Sequence, residues 1–267
     1  MNSRISALHA RQLAGEELHF RFFWGHSGTG YGPWLLSQWW EAPFSVDGLT
    51  YRTAEHWMMA QKALLFEDVE THARILAAAT PGAAKALGRK VKDFDDRIWN
   101  DARFGIVRTG NVEKFRQNPS LLAWLFSTGD EILVEASPVD RIWGIGMAGN
   151  APGVEDVTAW KGENLLGFAL TEVRDRLRRF PRPQVPEDAV LPLWIALPEL
   201  HRYSMGWRMG YGETHLMDFH SYWQKRHPDE LIQLELVYPA TGIWSGWYDP
   251  VADRDDGPRV PGVPRVR

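Results

Sequence analysis

Glu55 and Lys62 are two residues of opposite charge whose spacing favours joint chemistry. They lie seven positions apart, so on a helix they share a face at a separation of about 10 Å along the axis. Met58 and Met59 lie close to that face and would exclude water, which moves the pKa values of a carboxylate and an amine toward neutrality. Such a pair suits acid–base or carbonyl chemistry. Two solvated residues on a helix surface explain the same spacing.

A second acidic group follows a predicted strand at 132–136. Glu135 and Asp140 lie where the chain leaves this strand and enters an irregular region. Cleavage of a glycosidic bond commonly uses one carboxyl group to assist departure and another to stabilise a cationic sugar or to activate water. Asp140 with Glu55 is the candidate pair. The alternative interpretation is that Asp140 caps a turn or pairs with Arg141.

Turn and cap signals predict the elements that position the first pair. A strand is predicted at 18–24, before a glycine-rich loop. The Asp47-Gly48 dipeptide between two β-prone runs predicts a two-residue hairpin turn. Thr53 is typical of a helix N-cap, and the helix it begins would carry both Glu55 and Lys62.

More helices and one irregular segment follow. Thr80 and Asp95 predict two further helix starts, the second weakened by Gly105 and Gly110. Residues 137–163 lack periodicity and are rich in glycine and tryptophan, which favours a binding loop. A short helix after Pro119 and an amphipathic helix at 164–180 complete this half.

Proline-rich residues mark the predicted domain boundary. We expect an N-terminal extension at 1–17, a main domain at 18–180, a linker at 181–186, a small C-terminal unit of unknown family at 187–250, and a disordered tail at 251–267.

Composition excludes several classes of protein. The chain has no cysteine, which excludes disulfides, zinc–thiolate sites, iron–sulfur clusters and thiol nucleophiles. It has no apolar run of about 18 residues and no apolar leader, so we expect a cytoplasmic protein without a membrane partner. A net charge of -4 argues against binding duplex DNA mainly through phosphate neutralisation.

One apparent nucleotide-binding motif lacks the required context, and no metal-binding motif is found. Residues 144–149 match the GxGxxG dinucleotide fingerprint, but Asn150-Ala-Pro follows where a helix must begin. The histidines show neither HxxxH nor HExxH spacing, so no metal site is predicted. We therefore predict no cofactor.

Short motifs spread over residues 18–179 carry a family resemblance. They are LSQW (36–39), TAEH (53–56), AQKA (60–63), LGR (87–89), LVEAS (133–137), DRIWGIG (140–146) and GENLLG (162–167). Together they resemble the NADAR (NAD and ADP-ribose associated, or YbiA-like) family. The resemblance implies a mostly helical α+β fold and hydrolysis of N-glycosidic bonds. The implied substrates are phosphoribosylated riboflavin-pathway intermediates, or ADP-ribose on guanine in a nucleoside or a nucleic acid.

The resemblance also implies roles for particular residues. Glu55, Lys62 and Asp140 match the catalytic positions. The implied substrate-binding residues are Ser37, Gln38, Trp39, Trp99, Arg103, Trp143, Gly144 and Asn164. Gln38 departs from the family pattern, which has asparagine there, so the geometry of ligand contact is expected to differ.

The expected mechanism gives each of these residues a role. Glu55 and Asp140 would stabilise the charge of an oxocarbenium-like transition state and transfer protons as water attacks the anomeric carbon of the ribose. Lys62 would either hold a phosphate or hydroxyl group or form an imine with the opened sugar. Arg103 would bind phosphate in bidentate fashion, and an indole would stack on the base. The alternative is a non-catalytic module that binds ADP-ribose in the same pocket.

Overall fold

The structure is a computed structural model that describes residues 3–249. Its strands are β1 (Phe20–Phe23), β2 (Phe44–Val46), β3 (Leu49–Tyr51) and β4 (Ile132–Glu135). Its helices are α1 (Ser3–Leu13), α2 (Ala54–Leu65), α3 (Val69–Leu76), α4 (Pro81–Gly88), α5 (Asp96–Arg116), α6 (Pro119–Ser127), α7 (Leu165–Arg179), α8 (Leu193–Ala196), α9 (Tyr211–Lys225) and α10 (Pro228–Val237). The mostly helical α+β class is confirmed.

The strands form two small sheets. β2 and β3 pair in antiparallel fashion, and the turn residues Asp47 and Gly48 both have positive φ, at 51° and 77°, as a type I′ turn requires. This hairpin was predicted. β1 pairs in parallel with β4, in a register that joins Phe20 to Ile132 and Phe23 to Glu135. The second sheet therefore joins residues more than 100 positions apart, which no local signal indicated.

The predicted helix caps are present. Thr53 accepts a hydrogen bond from the backbone N–H of His56 and begins α2. Thr80 and Asp95 cap α4 and α5 in the same way. Each cap oxygen satisfies one of the N–H groups that a helix leaves unpaired at its start.

α5 is continuous over 21 residues although two glycines lie within it. A Cβ at Gly110 would lie 2.2 Å from the Trp57 ring, and the Trp57 indole donates to the Ile106 carbonyl at 2.7 Å. The glycine therefore lets α2 and α5 approach closely. This close packing outweighs the low helix propensity that weakened the prediction.

Apolar side chains divide between two hydrophobic clusters. The larger cluster is centred on α2, α5, α7 and β4, and it includes Ile5 and Leu8 of α1. The smaller cluster belongs to the C-terminal unit and is rich in aromatic rings, among them Trp207, Phe219 and Trp247. The C-terminal unit thus has a core of its own. The tail expected at 251–267 lies outside the described residues.

Ion pairs join the C-terminal unit to the main domain. The buried Arg108 guanidinium on α5 binds Glu235 of α10 and, at 2.6 Å, Asp249. Arg176 and Glu172 of α7 complete this group, with Arg176 donating to Glu235 at 2.7 Å. We call these five residues the interface ion cluster.

No helix within residues 3–249 has both the length and the apolar character required to cross a bilayer.

Candidate active site

Glu55 lies in the first turn of α2 and is 2% exposed. Its backbone N–H donates to the Gln38 carbonyl at 2.9 Å, which fixes the turn against the LSQW segment. The Trp39 indole N–H donates to the Glu55 carboxyl group, whereas Oε1 is buried without a hydrogen-bond partner. Burial raises the pKa of Glu55 to about 7, against the opposing effect of the nearby Lys85.

Glu135, at the end of β4, is the second unusual carboxyl group. Its Oε2 atom is buried without a hydrogen-bond partner. Burial, reinforced by the negative charges of Asp140 and Glu55, raises the pKa of Glu135 to about 8. Sequence reasoning did not assign this residue to the site. The available signal was its place at the carboxyl end of a strand, within the LVEAS motif.

Asp140 caps a turn and also acts on both glutamates. Its Oδ1 atom accepts backbone N–H bonds from Ile142 and Trp143, each at 2.8 Å. The turn-cap interpretation is therefore confirmed. The negative charge of Asp140 raises the pKa of Glu55 and of Glu135, so the structure brings these three carboxyl groups together.

Gly144 and Asn164 hold the backbone around Glu135. A Cβ at Gly144 would lie 2.7 Å from the Glu135 carbonyl oxygen, so the loop packs closely only with glycine there. Asn164 is fully buried, accepts from the Glu135 N–H at 2.9 Å and donates to the Leu133 carbonyl at 3.1 Å. The structure thus gives both residues a positioning role, and their contact with substrate stays a prediction.

Lys85 and Arg89, at the end of α4, are the basic residues that act on Glu55. Lys85 is half-buried, and its Nζ atom lies 5.8 Å from the centre of the Trp39 ring. Within residues 3–249, no ion pair shorter than 4.0 Å joins either cation to Glu55, Glu135 or Asp140. The acidic group is therefore surrounded by positive charge without being neutralised by contact.

Lys62 is half-buried against two aromatic rings. Its Nζ atom sits 3.9 Å from the centre of the Phe94 ring and 5.4 Å from that of Trp99. Burial lowers the pKa of Lys62, and Asp96 opposes that shift. Burial thus moves the pKa values of Glu55 and Lys62 toward neutrality, as expected for this helix face, whereas the basic groups that act on Glu55 are on α4. Phe94 and Asp96 were not anticipated as its neighbours.

Trp99 and Arg103 lie about one turn apart on α5. Arg103 is half-buried and donates to Glu163 at 3.2 Å. A phosphate binding to Arg103 would have to share the guanidinium with this carboxylate. Trp143 packs against the main core next to the Asp140 turn. The indoles of Trp99 and Trp143 are half-buried, so each keeps part of its surface exposed for stacking.

Ser37 and Trp39 lie in a segment whose backbone is held by a buried lysine. Lys114 has no exposed surface and donates to the carbonyls of Leu35 and Ser37, at 2.8 and 2.9 Å. Burial lowers the pKa of Lys114 to about 7. The Ser37 hydroxyl accepts from the Trp39 N–H at 3.1 Å, so it shapes the turn that presents the indole to Glu55.

Gln38 is directed inward. Its Oε1 atom accepts from Asn111 at 3.0 Å, and its Nε2 atom is buried without a partner. Contact between this amide and a ligand stays a prediction. Within the part of the chain that the structure describes, no group of three or more His, Cys, Asp and Glu side chains has the arrangement of a metal site.

The curated relatives of this chain include several N-glycosidases. An N-glycosidase of Acanthamoeba polyphaga mimivirus is 40% identical over 159 residues, which are 58% of this chain and 94% of that protein. The Escherichia coli N-glycosidase YbiA is 33% identical over 135 residues, 51% of this chain and 76% of that protein. A riboflavin biosynthesis protein of Vibrio vulnificus is 32% identical over 144 residues, 54% of this chain and 35% of that protein.

The fold and a family model agree with these relatives. The NMR structure of Escherichia coli YbiA matches with a TM-score of 0.51 at 27% identity, and the match covers 64% of this chain and 92% of that one. The NADAR domain model matches residues 22–178, close to the span of the motifs found in the sequence. The chain belongs to the NADAR family.

Proposed function

We propose that this chain is an N-glycosidase that hydrolyses the bond between a base-like nitrogen and a phosphorylated or ADP-linked ribose. The observation that carries the proposal is the buried carboxyl group of Glu55, whose pKa is also raised by the charge of Asp140. Glu55 has a buried, unpartnered oxygen and a pKa of about 7, so it can take up and release a proton near neutral pH. Asp140 supplies a negative charge beside it.

The proposed reaction adds water across the C–N bond. As that bond weakens, positive charge develops on the anomeric carbon, and Asp140 stabilises it. Glu55 removes a proton from the attacking water while the new C–O bond forms. The departing base leaves with a proton on its nitrogen. No metal or organic cofactor is required by this scheme.

Other residues of the site bind the two ends of the substrate. Arg103, which also donates to the partly exposed Glu163, is a candidate to bind a phosphate oxygen. Trp99 and Trp143 offer indole faces to a flat base. Lys62, whose pKa is lowered, has a larger fraction of free amine than an exposed lysine and so is suited either to hold a hydroxyl group or to form an imine.

Two substrate classes fit these groups. Both phosphoribosylated riboflavin-pathway intermediates and ADP-ribosylated guanine combine a ribose, a phosphate and a flat heterocycle. The Vibrio vulnificus relative named for riboflavin biosynthesis supports the first class, and the family's name supports the second. A cytoplasmic location, expected for a cysteine-free chain, suits either class.

A module that only binds ADP-ribose is the alternative function. Such a module gains nothing from Glu55, because a buried carboxyl group without a full set of partners lowers stability. An enzyme gains a proton carrier. The unpartnered oxygen therefore favours catalysis.

Base release tests the proposal directly. The protein is incubated in parallel with a phosphoribosylated aminopyrimidine, with ADP-ribosylated guanosine and with an ADP-ribosylated oligonucleotide, and the free base is followed by chromatography. Glu55→Gln should slow release by roughly 100-fold to 10,000-fold. Asp140→Asn should slow it too, while the exposed Glu41→Gln serves as the control and should match the wild type.

The two functions give different results. Wild-type rates in both Glu55→Gln and Asp140→Asn would refute the proposed mechanism. Calorimetric binding of ADP-ribose without release of any base would show a binding module instead. Borohydride trapping in the presence of substrate decides whether Lys62 acts covalently, since only an imine leaves a stable adduct.

A further inference from the structure

We infer that Glu135 is the general acid of this site, holding the proton that passes to the departing base nitrogen while Glu55 acts on water. The inference rests on the proposed function and adds a catalytic residue to it. Glu135 comes from the end of β4, an element that the pairing of Glu55 with Asp140 does not involve.

The surroundings of Glu135 favour a neutral carboxyl group. Oε2 is buried and receives no hydrogen bond, and no ion pair reaches the side chain within residues 3–249. A buried, unpaired carboxylate loses its hydration without compensation, whereas the protonated form loses much less. The charged groups that act on Glu135 are Asp140, Lys85 and Glu55, so two of the three are negative.

Glu55 has the opposite set of neighbours. The Trp39 indole, which can only donate, gives it a hydrogen bond. Lys85 and Arg89 both stabilise its negative charge, and only Asp140 opposes them. Where two desolvated carboxyl groups repel one another, a single proton is shared between them and stays on the one with fewer donors and cations. That residue is Glu135.

This division yields an acid and a base at the same pH. The pKa values of the two groups lie at about 7 for Glu55 and about 8 for Glu135, so between them one is ionised and the other protonated. Enzymes usually obtain an acid and a base from titratable groups whose environments push their pKa values apart.

Asp140 is unsuited to the acid's role, because its Oδ1 atom already accepts two backbone N–H bonds. A proton on Asp140 would have to be carried by its other oxygen, Oδ2. Asp140 therefore keeps the electrostatic role that the proposed function gives it.

Backbone contacts aim Glu135 for this task. Asn164 bonds to the N–H of Glu135 and to the carbonyl of Leu133, which fixes the end of β4. Gly144 packs directly on the Glu135 carbonyl. These contacts leave the carboxyl group as the free end of a rigid strand, as positioning of a catalytic group requires.

The protons balance over one turnover. Glu135 gives its proton to the base nitrogen as the C–N bond breaks, and Glu55 takes one from water as the C–O bond forms. The proton on Glu55 then returns to Glu135, directly or through solvent. The products are the protonated base and the ribose hydroxyl, with water as the only co-reactant.

Two measurements on the full chain test the inference. In protein labelled with ¹³C at the glutamate carboxyl carbon, NMR titration of the wild type should show two glutamates with pKa values of about 7 and 8. Glu135→Gln should remove the titration near 8 and leave the titration of Glu55 near 7, because Glu135 is protonated while Glu55 titrates. This variant replaces a neutral acid by a neutral amide of similar shape, so folding should be retained.

The pH profile of kcat/KM supplies the second measurement. The wild type should lose activity on the alkaline side with a pKa of about 8. Glu135→Gln should lower the rate roughly 100-fold or more and abolish that alkaline decline. Glu135→Asp keeps a carboxyl group and should retain the decline. Glu131→Gln, on the same segment but in a surface ion pair with Arg21, is the matched control and should follow the wild type.

The outcomes separate the inference from the proposed function. A Glu135→Gln variant with wild-type rate, with an unchanged alkaline decline, or with both titrating glutamates still present would overturn the inference. If the wild type releases no base from any ribosyl substrate, the proposed function fails. The titration then still decides whether Glu135 holds a proton at neutral pH.

Discussion

Glu55 and Glu235 are both buried glutamates with two basic residues nearby, yet their pKa values shift in opposite directions. Burial would raise the pKa of Glu235, but contact with Arg108 and Arg176 outweighs it and lowers the value. For Glu55, burial prevails, and its pKa rises to about 7. The formal charges around the two sites are alike, with three carboxyl groups and two cations in each.

The difference lies in contact. In the interface ion cluster the guanidinium groups donate directly to the carboxylates. In the acidic group of Glu55, Glu135 and Asp140, Lys85 and Arg89 act from a distance. Charge that is neutralised by contact holds two parts of a protein together, whereas charge left without a partner remains available for chemistry.

The largest effect expected from this comparison follows loss of Arg108. Arg108→Met leaves Glu235, Glu172 and Asp249 without their shared cation, so the free energy of unfolding should fall by about 3–5 kcal/mol. Chemical denaturation measures it. Arg178→Met removes a partly exposed ion pair and should cost about 1 kcal/mol or less. Equal losses in the two variants would contradict the assignment of a structural role to the cluster.

A smaller effect should appear in the pH dependence of stability. The folded state keeps the Glu135 proton up to a pKa of about 8, whereas the unfolded chain releases it near 4.5. The stability contributed by this carboxyl group is therefore complete at low pH and is lost as the pH rises between those values. The stability difference between Glu135→Gln, which does not ionise, and the wild type should therefore shift in favour of the variant by about 4 kcal/mol from pH 5 to pH 9.

Glu235→Gln is the contrasting variant for that experiment. The pKa of Glu235 is lowered in the folded state, so its carboxylate stabilises the protein above the unfolded pKa and loses this effect as the pH falls. The glutamine variant should be less stable than the wild type at pH 9. If both variants changed stability in the same direction there, the two clusters would not differ as described.

The smallest effect concerns Lys85. Its charge lowers the pKa values of Glu55 and Glu135, so Lys85→Met should raise both. The pH profile of base release should move to higher pH by up to about one unit, equivalent to roughly 1 kcal/mol. Lys90→Met, an exposed neighbour that acts on neither carboxyl group, is the control. A shift toward lower pH would show that Lys85 does not act through these glutamates.

Short-range signals in the sequence determined much of the framework. Thr53, Thr80 and Asp95 begin helices because a side-chain oxygen at that point satisfies a backbone N–H a few residues away. The Asp47-Gly48 turn is equally local, since both residues tolerate positive φ. The family motifs in the sequence also point to Glu55 and Asp140 as partners.

The composition of the site depended on contacts between distant parts of the chain. Glu135 enters it because β4 pairs with β1 and because Asn164 fixes the end of that strand. Lys85 was not assigned a role, whereas Lys62, chosen for its spacing on α2, lies against Phe94 and Trp99.

The sequence by itself determined which elements form and which acidic residues are candidates for catalysis. Only the tertiary structure decided which carboxyl groups lose their solvent and which gain a cation. The reason is physical: helix caps and turns depend on atoms a few residues apart, whereas a pKa depends on every group that burial brings near. Glu55 and Glu235 look alike in the sequence, and the folded chain gives only Glu235 a direct contact with arginine.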